Sequence, residues 1–345
     1  MSLLRWFNLT IILLSFLSYL SPYVNPETCW QFSLFGIAYP WLLLANILFV
    51  ITWLILKKKY FLFSLACMLM GWNHFNNFIG YNLNTPPIPK ESIKVMSFNA
   101  SYIFYSKANG SRLRKIKEAK QKAFFEYFKD GAGIDIFCGQ ELTKFDEDIL
   151  KNGLKLKYFH HFKGTSVYTK YPIKATGQMD FTASLNSCSW VDLEIGKQRV
   201  RVYSIHLQSN KVSSDATKIL KLDKLQQKEA WSDIGGVLKK VKKAALKRPE
   251  QARRIAKHMA ASPYPVILCG DFNDTPQSYS YRILTQQLQD AFQQKGPGLG
   301  TTYAGSIPAL RIDYILADPR FQILDHQIIK EEFSDHYPVI SHLLL

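Results

Sequence analysis

The chain has 345 residues, enough for one large domain or two. It carries 43 Lys and Arg against 27 Asp and Glu, a formal net charge of +16. Such a basic balance suits a phosphate-bearing partner such as nucleic acid, anionic lipid or a small phosphorylated molecule, although an excess of solubilising Lys would look the same. The five Cys include no CxxC pair, so the sequence has neither a disulfide framework nor a zinc-binding pattern.

The charge is distributed unevenly, because residues 1–90 contain only five of the 43 basic side chains and one of the 27 acidic ones. Three apolar stretches, at 6–24, 32–56 and 60–80, are each close in length to a membrane-spanning helix, which needs about 20 residues. Their lack of charge favours membrane helices over a buried hairpin, and no small-residue cleavage site follows the first stretch as in a signal peptide. The sequence predicts an all-α membrane region of about three helices over 1–82.

The basic cluster Lys57–Lys59 lies between the second and third predicted helices. Basic loops stay in the cytoplasm, so three crossings put the rest of the chain outside. The predicted location is the cytoplasmic membrane, multi-pass, with the globular part on the extracytoplasmic side. A Pro-rich linker is predicted over 83–92 and a globular domain over 93–345.

The globular part alternates apolar, strand-like runs with helical segments. Helices are predicted over 112–129 and 279–290, and a Lys-rich helical region over 214–260 is expected to break near Gly235 and Gly236. Polar residues recur at the ends or starts of the predicted strands, namely Asn99, Glu141, His206, Asp271 with Asn273, and Asp335 with His336, and Asp313 lies within another predicted strand. One such residue is usually a turn former, but the ends of packed strands lie side by side. The set therefore predicts one shared site.

These residues are mostly carboxylates, amides and His, with no candidate nucleophile. The oxygens of Glu141 and Asp335 suit Mg²⁺ or Mn²⁺ better than zinc. A divalent ion with Asn and His donors is suited to a phosphate ester, with a water aligned by an Asp or His. An Asp near a His fixes the tautomer of the imidazole and favours its charged form, and Asp313 with His336 is such a pair.

The motifs VMSFNA, CGQE, YSIHLQS, CGDFNDTP, RIDYIL and SDHYPV resemble, in order and spacing, the endonuclease/exonuclease/phosphatase superfamily. Its members include pancreatic-type deoxyribonucleases, exonuclease III-like repair nucleases, inositol polyphosphate 5-phosphatases and neutral sphingomyelinases. The resemblance covers about residues 92–345. It implies an α/β fold, a four-layer αββα sandwich with the site at one end of its two sheets.

The resemblance also implies a role for each residue. Glu141 would be the main metal ligand, with Asn99 and Asp335 close by. Asp271 would orient or deprotonate the attacking water, and Asn273 would hold a phosphate oxygen. The remaining implied catalytic residues are His206, His336 and its orienting partner Asp313. His206 favours the deoxyribonuclease and sphingomyelinase branches, and Asp274 is expected to be a turn residue.

The predicted protein is thus a membrane-anchored, divalent-metal-dependent phosphoesterase. The membrane region favours a phospholipid-type head group as substrate. An extracytoplasmic endonuclease or exonuclease acting on DNA or RNA is the first alternative, and a catalytically inactive membrane scaffold is the second. The segment 211–260 is rich in Lys and Arg, which indicates either a solvated helix face or contact with an anionic lipid or polynucleotide.

Overall fold

The structure of the chain is a computed structural model. It describes residues 2–82, 87–101, 103–104, 111–128, 133–181, 186–210, 228–305 and 307–345. Parts of the predicted linker, at 83–86, and of the predicted Lys-rich helical region, at 214–227, lie outside the described residues.

Helices and strands alternate after a purely helical start. The helices are α1 Ser2–Leu20, α2 Phe32–Ile55, α3 Phe61–Met70, α4 Trp72–Asn76, α5 Ser111–Tyr127, α6 Glu147–Leu154, α7 Lys228–Ala260, α8 Tyr279–Leu284 and α9 Ala291–Lys295. The strands are β1 Ile79–Tyr81, β2 Ile93–Asn99, β3 Ile136–Gln140, β4 Tyr158–Phe162, β5 Thr165–Thr169, β6 Ile173–Asp180, β7 Ser187–Ile195, β8 Gln198–His206, β9 Val266–Asp271, β10 Gln289–Asp290, β11 Pro297–Leu299, β12 Asp313–Ala317, β13 Gln322–Ile328 and β14 Val339–Leu344.

Two six-stranded sheets form the centre of the globular part, in the orders β13-β14-β2-β3-β5-β4 and β10-β12-β9-β8-β7-β6. In each sheet the two middle strands, β2 with β3 and β8 with β9, run parallel, and all other pairs are antiparallel. The carboxyl ends of both parallel pairs therefore lie at one end of the sandwich. This arrangement sets the place of the site.

The core lies in three layers, as an αββα sandwich requires. Aliphatic side chains of the two sheets meet between them, among them Val95, Val202 and Ile267. Outside the first sheet, Phe124 of α5 stacks on Phe98 of β2, with ring centroids 5.4 Å apart. Outside the second sheet, the apolar face of α7 packs against β8 and β9. The predicted four-layer fold is confirmed.

The helical start is a three-legged bundle. Its interior is joined by hydrogen bonds between small polar and aromatic side chains: Trp53 Nε1 donates to Asn8 Oδ1 at 2.9 Å, Asn8 Nδ2 donates to Ser64 Oγ at 2.6 Å, and Asn46 Nδ2 donates to Ser15 Oγ at 2.9 Å. Polar pairs of this kind hold helices together where apolar contacts alone give little specificity. Two helices are long and apolar enough to cross a membrane by length and composition, over Leu3–Leu20 and Phe32–Ile55.

The third leg differs from the predicted continuous span over 60–80. It consists of α3, with ten residues, and α4, with five, and the chain then enters strand β1. Ten helical residues rise about 15 Å, half of the hydrocarbon core. The break falls at Gly71, where the ring of Tyr19 packs so closely that a Cβ would lie 2.3 Å from it.

The bundle is seated on the sandwich through several contacts. Strand β1 pairs with β11, with Ile79 opposite Leu299. Glu27, in the connection between α1 and α2, forms an ion pair with Arg253 of α7 at 2.7 Å. The third leg returns the chain to this end, whereas α2 runs about 36 Å away from it, so Lys57–Lys59 lie at the far end of the bundle.

Helix α7 corrects a second expectation. It runs unbroken for 33 residues through Gly235 and Gly236, at which a break was predicted. Open space surrounds both glycines, so no tertiary contact forces the helix to end there. The predicted helix over 112–129 is observed as α5, and that over 279–290 is shorter, because α8 ends at Leu284.

Candidate active site

The predicted polar residues meet at the end of the sandwich where the parallel strands finish. In the second sheet, Asp271 at the end of β9 is in register with His206 at the end of β8 and with Asp313 at the start of β12. In the first sheet, Asn99 ends β2 beside the end of β3. A hydrogen bond joins the sheets, because Asn99 Nδ2 donates to Asp271 Oδ2 at 2.9 Å.

Asp271 is the centre of this cluster. Its Oδ1 accepts the backbone N–H of Asn273 at 2.7 Å, and its Oδ2 accepts Asn273 Nδ2 at 3.0 Å. Asn273 adopts a positive φ of 52°, which turns its side chain back over the strand end. Burial raises the pKa of Asp271 to about 6, and the Asp313 carboxylate acts in the same direction against the charge of His336.

His336 and Asp313 form a buried charged pair. His336 Nδ1 donates to Asp313 Oδ2 at 2.9 Å, which leaves Nε2 facing Asp271, 3.9 Å from its Oδ2. Burial alone would lower the pKa of His336, but the carboxylates of Asp313 and Asp271 raise it to about 10. The imidazole is therefore charged at neutral pH. Thr302 Oγ1 accepts the backbone N–H of Asp313 at 3.0 Å and fixes the start of β12.

His206 differs from His336 in its charge. Its Nε2 lies 3.6 Å from Asp271 Oδ2 and 3.9 Å from Glu141 Oε1. Burial lowers its pKa, so it is neutral at pH 7. Both of its ring nitrogens are buried without a hydrogen-bond partner among the described residues. Buried polar atoms are rarely left so, which marks this side of the site as a place for a ligand.

Glu141 and Asp335 complete the set. Glu141 directly follows β3 with a positive φ of 52°, and its side chain is 24 % exposed, so it faces the open end of the site. Asp335 precedes His336 and has one buried carboxylate oxygen without a hydrogen-bond partner among the described residues. Ser334 Oγ donates to the backbone oxygen of Asn99 at 2.8 Å and so holds this loop against the end of β2.

Comparison with protein families identifies the sandwich. The family model described as the endonuclease/exonuclease/phosphatase family matches residues 96–336. The chain belongs to this family. It is accordingly a phosphoric ester hydrolase of a divalent-metal-dependent family. A second model, described as a domain of unknown function (DUF8431), matches residues 1–78, and no curated protein matches the chain by sequence.

Solved structures of the family share the fold at low sequence identity. The structure of an endonuclease/exonuclease/phosphatase from Bacteroides vulgatus has 18% identity and a TM-score of 0.54, covering 74% of this chain and 99% of its own. A mannosyl-6-phosphatase from Bacteroides thetaiotaomicron has 19% identity and a TM-score of 0.53, covering 74% and 100%. Humanized D. rerio TDP2 has 14% identity and a TM-score of 0.53, also covering 74% and 100%.

The residues predicted to hold the metal ion carry donor atoms suited to a divalent cation. Glu141 and Asp335 offer carboxylate oxygens and Asn99 an amide oxygen, the atoms that hard cations prefer. A different trio, Asp271, Asp313 and His336, has ligand atoms within 4.8 Å of one another. That trio is a weaker candidate, because His336 Nδ1 is already bonded to Asp313, whereas an oxygen of Asp335 has no bond of its own among the described residues.

The sequence did not lead us to Arg248, which stabilises the segments that carry the site residues. This fully buried side chain pairs with Asp274 at 2.9 Å and donates to the backbone oxygen of Gln208 at 3.1 Å. It thus ties α7 to the segments that follow His206 and Asp271. Asp274, predicted as a turn residue, is also an ion-pair partner. The signal was present, because Arg248 falls in helical register with the apolar residues Val241, Ala244, Ala245, Ala252 and Ile255.

Proposed function

We propose that the protein is a membrane-anchored phosphoesterase that hydrolyses a phosphodiester or phosphomonoester by in-line attack of water. The observation that carries the proposal is the position of Asp271 between the charged His336–Asp313 pair and the neutral His206, with two Asn side chains bonded to it. A carboxylate bonded from both sides is held in one orientation, as a group that aligns a water must be.

Each side chain has a separate task in this reaction. Asp271 aligns the attacking water and accepts its proton as the new P–O bond forms. Asn273 donates to a phosphate oxygen with the amide hydrogen that otherwise bonds to the backbone oxygen of Leu207. The charged His336 stabilises the negative phosphoryl group. The ester P–O bond then breaks, and the leaving oxygen takes a proton, for which we assign His336. Asp313 keeps that imidazole oriented and charged, and His206 supplies a further donor to the phosphate.

Glu141, Asn99 and Asp335 would hold the metal ion, and we assign Mg²⁺, or Mn²⁺, from the hardness of their oxygens. When bound, the ion neutralises charge on the phosphoryl oxygens. Two of the three residues have a second role in the protein itself. Asn99 holds Asp271 in place through its amide group, and Glu141 lies beside the Nε2 of His206. The residues that would hold the metal ion thus also contact the residues assigned to the water and the phosphate.

The bundle supports a membrane location for this chemistry. We infer a multi-pass anchor in which the Lys57–Lys59 end faces the cytoplasm and the catalytic domain, about 36 Å away, lies on the extracytoplasmic side. An active site beside a membrane favours a phospholipid-type head group as substrate. A nuclease is the alternative, favoured by the exposed Lys residues of α7 and by a relative whose structure is described as D. rerio TDP2 complexed with single strand DNA product.

One panel of assays tests the reaction and its substrate. The full-length protein in detergent is incubated with plasmid DNA, sphingomyelin-type lipids and inositol phosphates, with Mg²⁺ or with excess chelator. We expect turnover of one class, lost with chelator and reduced about 10³-fold in His336→Ala. Asp318→Asn is the matched control, because Asp318 follows the opposite end of β12 and should keep full activity. Full activity of His336→Ala, or in chelator, would refute the mechanism, and Mg²⁺ binding without turnover of any class would favour an inactive scaffold.

A further inference from the structure

An open, mainly apolar cavity of about 240 Å³ lies between the bundle and the active site. A cavity of about 150 Å³ suffices to bind benzene, so this one has room for several methylene groups or a ring. Its walls come from α2, α7 and the segment before β12, and include Leu34, Ile37, Leu238, Val241, Leu310 and Ile312. Its polar lining includes two residues that contact the catalytic side chains.

These two lining residues are Asn273 and Tyr303. Asn273 is bonded to Asp271, and the ring of Tyr303 stands edge-on to His336, with centroids 5.4 Å apart. A molecule whose phosphate lies at Asn273 therefore has the cavity beside it. The cavity offers an apolar surface to a group attached to that phosphate.

The bundle wall of the cavity is fixed to the site. Thr275 Oγ1 donates to the backbone oxygen of Gly36 at 3.3 Å, and a Cβ at Gly36 would lie 2.5 Å from the backbone oxygen of Gln277. Helix α2 thus touches the turn that begins at Asn273. The cavity depends on the N-terminal bundle, because two of its wall residues, Leu34 and Ile37, belong to α2.

The apolar wall continues along α2 beyond the cavity. Leu34 and Ile37 lie on one helical face with residues that follow at the spacing of three and four, each 37% to 74% exposed: Trp41, Leu44, Leu48, Ile51 and Ile55. In a helix that crosses a membrane, this face contacts lipid chains. An unbroken apolar track thus leads from the hydrocarbon region to the catalytic Asn.

The charges beside the cavity suit an anionic membrane surface. Lys239, Lys240, Lys242 and Lys243 are exposed on α7, next to the cavity residues Leu238 and Val241. The ammonium group of Lys242 lies 5.7 Å from the ring centroid of Trp30, in the connection between α1 and α2. Trp and Lys together are typical of the lipid head-group level, which places the opening of the cavity at the membrane surface.

We propose that the cavity binds the hydrocarbon chain of a membrane lipid whose phosphate ester is the substrate, and that the chain enters along the exposed face of α2. This inference rests on the proposed function and narrows it to lipid phosphate esters. A polynucleotide has no hydrocarbon chain to fill an apolar cavity of this kind. The bundle is then part of the substrate-binding site as well as an anchor.

Chain-length selectivity tests the inference. Hydrolysis of dioleoyl and dihexanoyl phosphatidylglycerol by the full-length protein is compared for the wild type and for two cavity-filling variants, Ile37→Trp on α2 and Leu310→Trp in the segment before β12. We expect at least a tenfold preference in kcat/KM for the long chains in the wild type, reduced to less than twofold in both variants. Leu13→Trp, on the exposed face of α1, is the matched control and should keep the preference. Equal kcat/KM for both lipids, or a preference kept in both variants, overturns the inference.

A second readout is independent of catalysis. Phosphatidic acid with a diazirine in its long chain is photolysed in vesicles with the full-length protein, and labelled peptides are mapped by mass spectrometry. We expect label in the peptide containing residues 307–312, reduced in Ile37→Trp and kept in Leu13→Trp. If label enters there but no lipid is hydrolysed, the cavity inference stands and the lipid phosphoesterase fails. Label confined to the bundle overturns the inference whatever the activity.

Discussion

Two clusters of buried charge in the sandwich differ in how completely their polar atoms are paired. In the first, both oxygens of Asp290 accept from Arg311, at 3.0 and 2.8 Å, and Tyr281 donates its hydroxyl at 2.6 Å. The backbone N–H of Phe292 adds a fourth bond at 2.9 Å. Among the described residues only Nε of Arg311 lacks a partner in this cluster. Burial opposes the charge, but Arg311 lowers the pKa of Asp290 below its usual value.

The Asp271 cluster, made of the polar residues at the strand ends, is the opposite case. Burial raises the pKa of Asp271 to about 6, both ring nitrogens of His206 are unpaired among the described residues, and so is one oxygen of Asp335. Closed networks stabilise a fold, whereas unpaired buried donors and acceptors cost free energy unless something binds them. The difference indicates that the Asp290–Arg311 cluster holds the fold together and that the Asp271 cluster is kept for a ligand.

The largest effect on stability is expected when the Asp290–Arg311 cluster loses its Arg side chain. Arg311→Met leaves the Asp290 carboxylate buried without its partner, which should lower the free energy of unfolding by about 3–5 kcal/mol. The measurement is chemical denaturation of the full-length protein in detergent, followed by circular dichroism. The double variant Arg311→Met/Asp290→Asn should recover part of the loss, because no unpaired charge remains. A loss below about 1 kcal/mol in the single variant would contradict the structural role.

A smaller effect on stability should come from metal binding at the Asp271 cluster. Mg²⁺ at 100 times its dissociation constant should raise the stability of the wild type by about 2.7 kcal/mol, because it binds only the folded site. Glu141→Gln should lose most of this gain, and Asp318→Asn should keep it. The melting temperature with Mg²⁺ and with chelator gives the answer. An equal response to Mg²⁺ in Glu141→Gln would exclude Glu141 as the main ligand.

The smallest effect concerns the pH dependence of stability and involves His326, which packs on the Asp290–Arg311 cluster. Its Nδ1 is 2.8 Å from Ser341 Oγ, and burial lowers its pKa to about 4. Between pH 6.5 and 4 the unfolded chain therefore binds a proton on this imidazole that the folded protein does not bind. The free energy of unfolding consequently decreases as the pH is lowered through that window. The expected loss is about 2 kcal/mol at pH 5 relative to pH 8. His326→Gln should remove this part of the pH dependence, and an unchanged profile would contradict the assignment.

The sandwich was predicted from the resemblance of the strand motifs to a known family, and the grouping of the site residues was predicted from a local pattern. Apolar runs that stop at Asn99, His206 or Asp271 identify strand ends, and the topology of the two sheets brings those ends together. The roles of the residues and the boundaries of the domains stay predictions. The charged state of His336 was also foreseen from its pairing with Asp313.

The remaining features depend on contacts between distant parts of the chain. The third leg breaks at Gly71, against which Tyr19, more than 50 residues earlier, packs closely. The burial of Arg248 and Arg311 requires acids supplied by Asp274 and Asp290, of which the first was predicted as a turn residue and the second as the end of a helix. The cavity beside Asn273 forms where α2 docks on the sandwich, and no local pattern indicates that contact.

The central claim is that the Asp271 cluster serves catalysis rather than the stability of the fold. The most direct test is Asp271→Asn in the full-length protein, with activity and melting temperature measured on the same sample. We predict a loss of activity of about 10³-fold or more and a melting temperature equal to or above that of the wild type, because a buried charge with a raised pKa is removed. An active variant, or one that has lost its activity only by unfolding, would contradict the account.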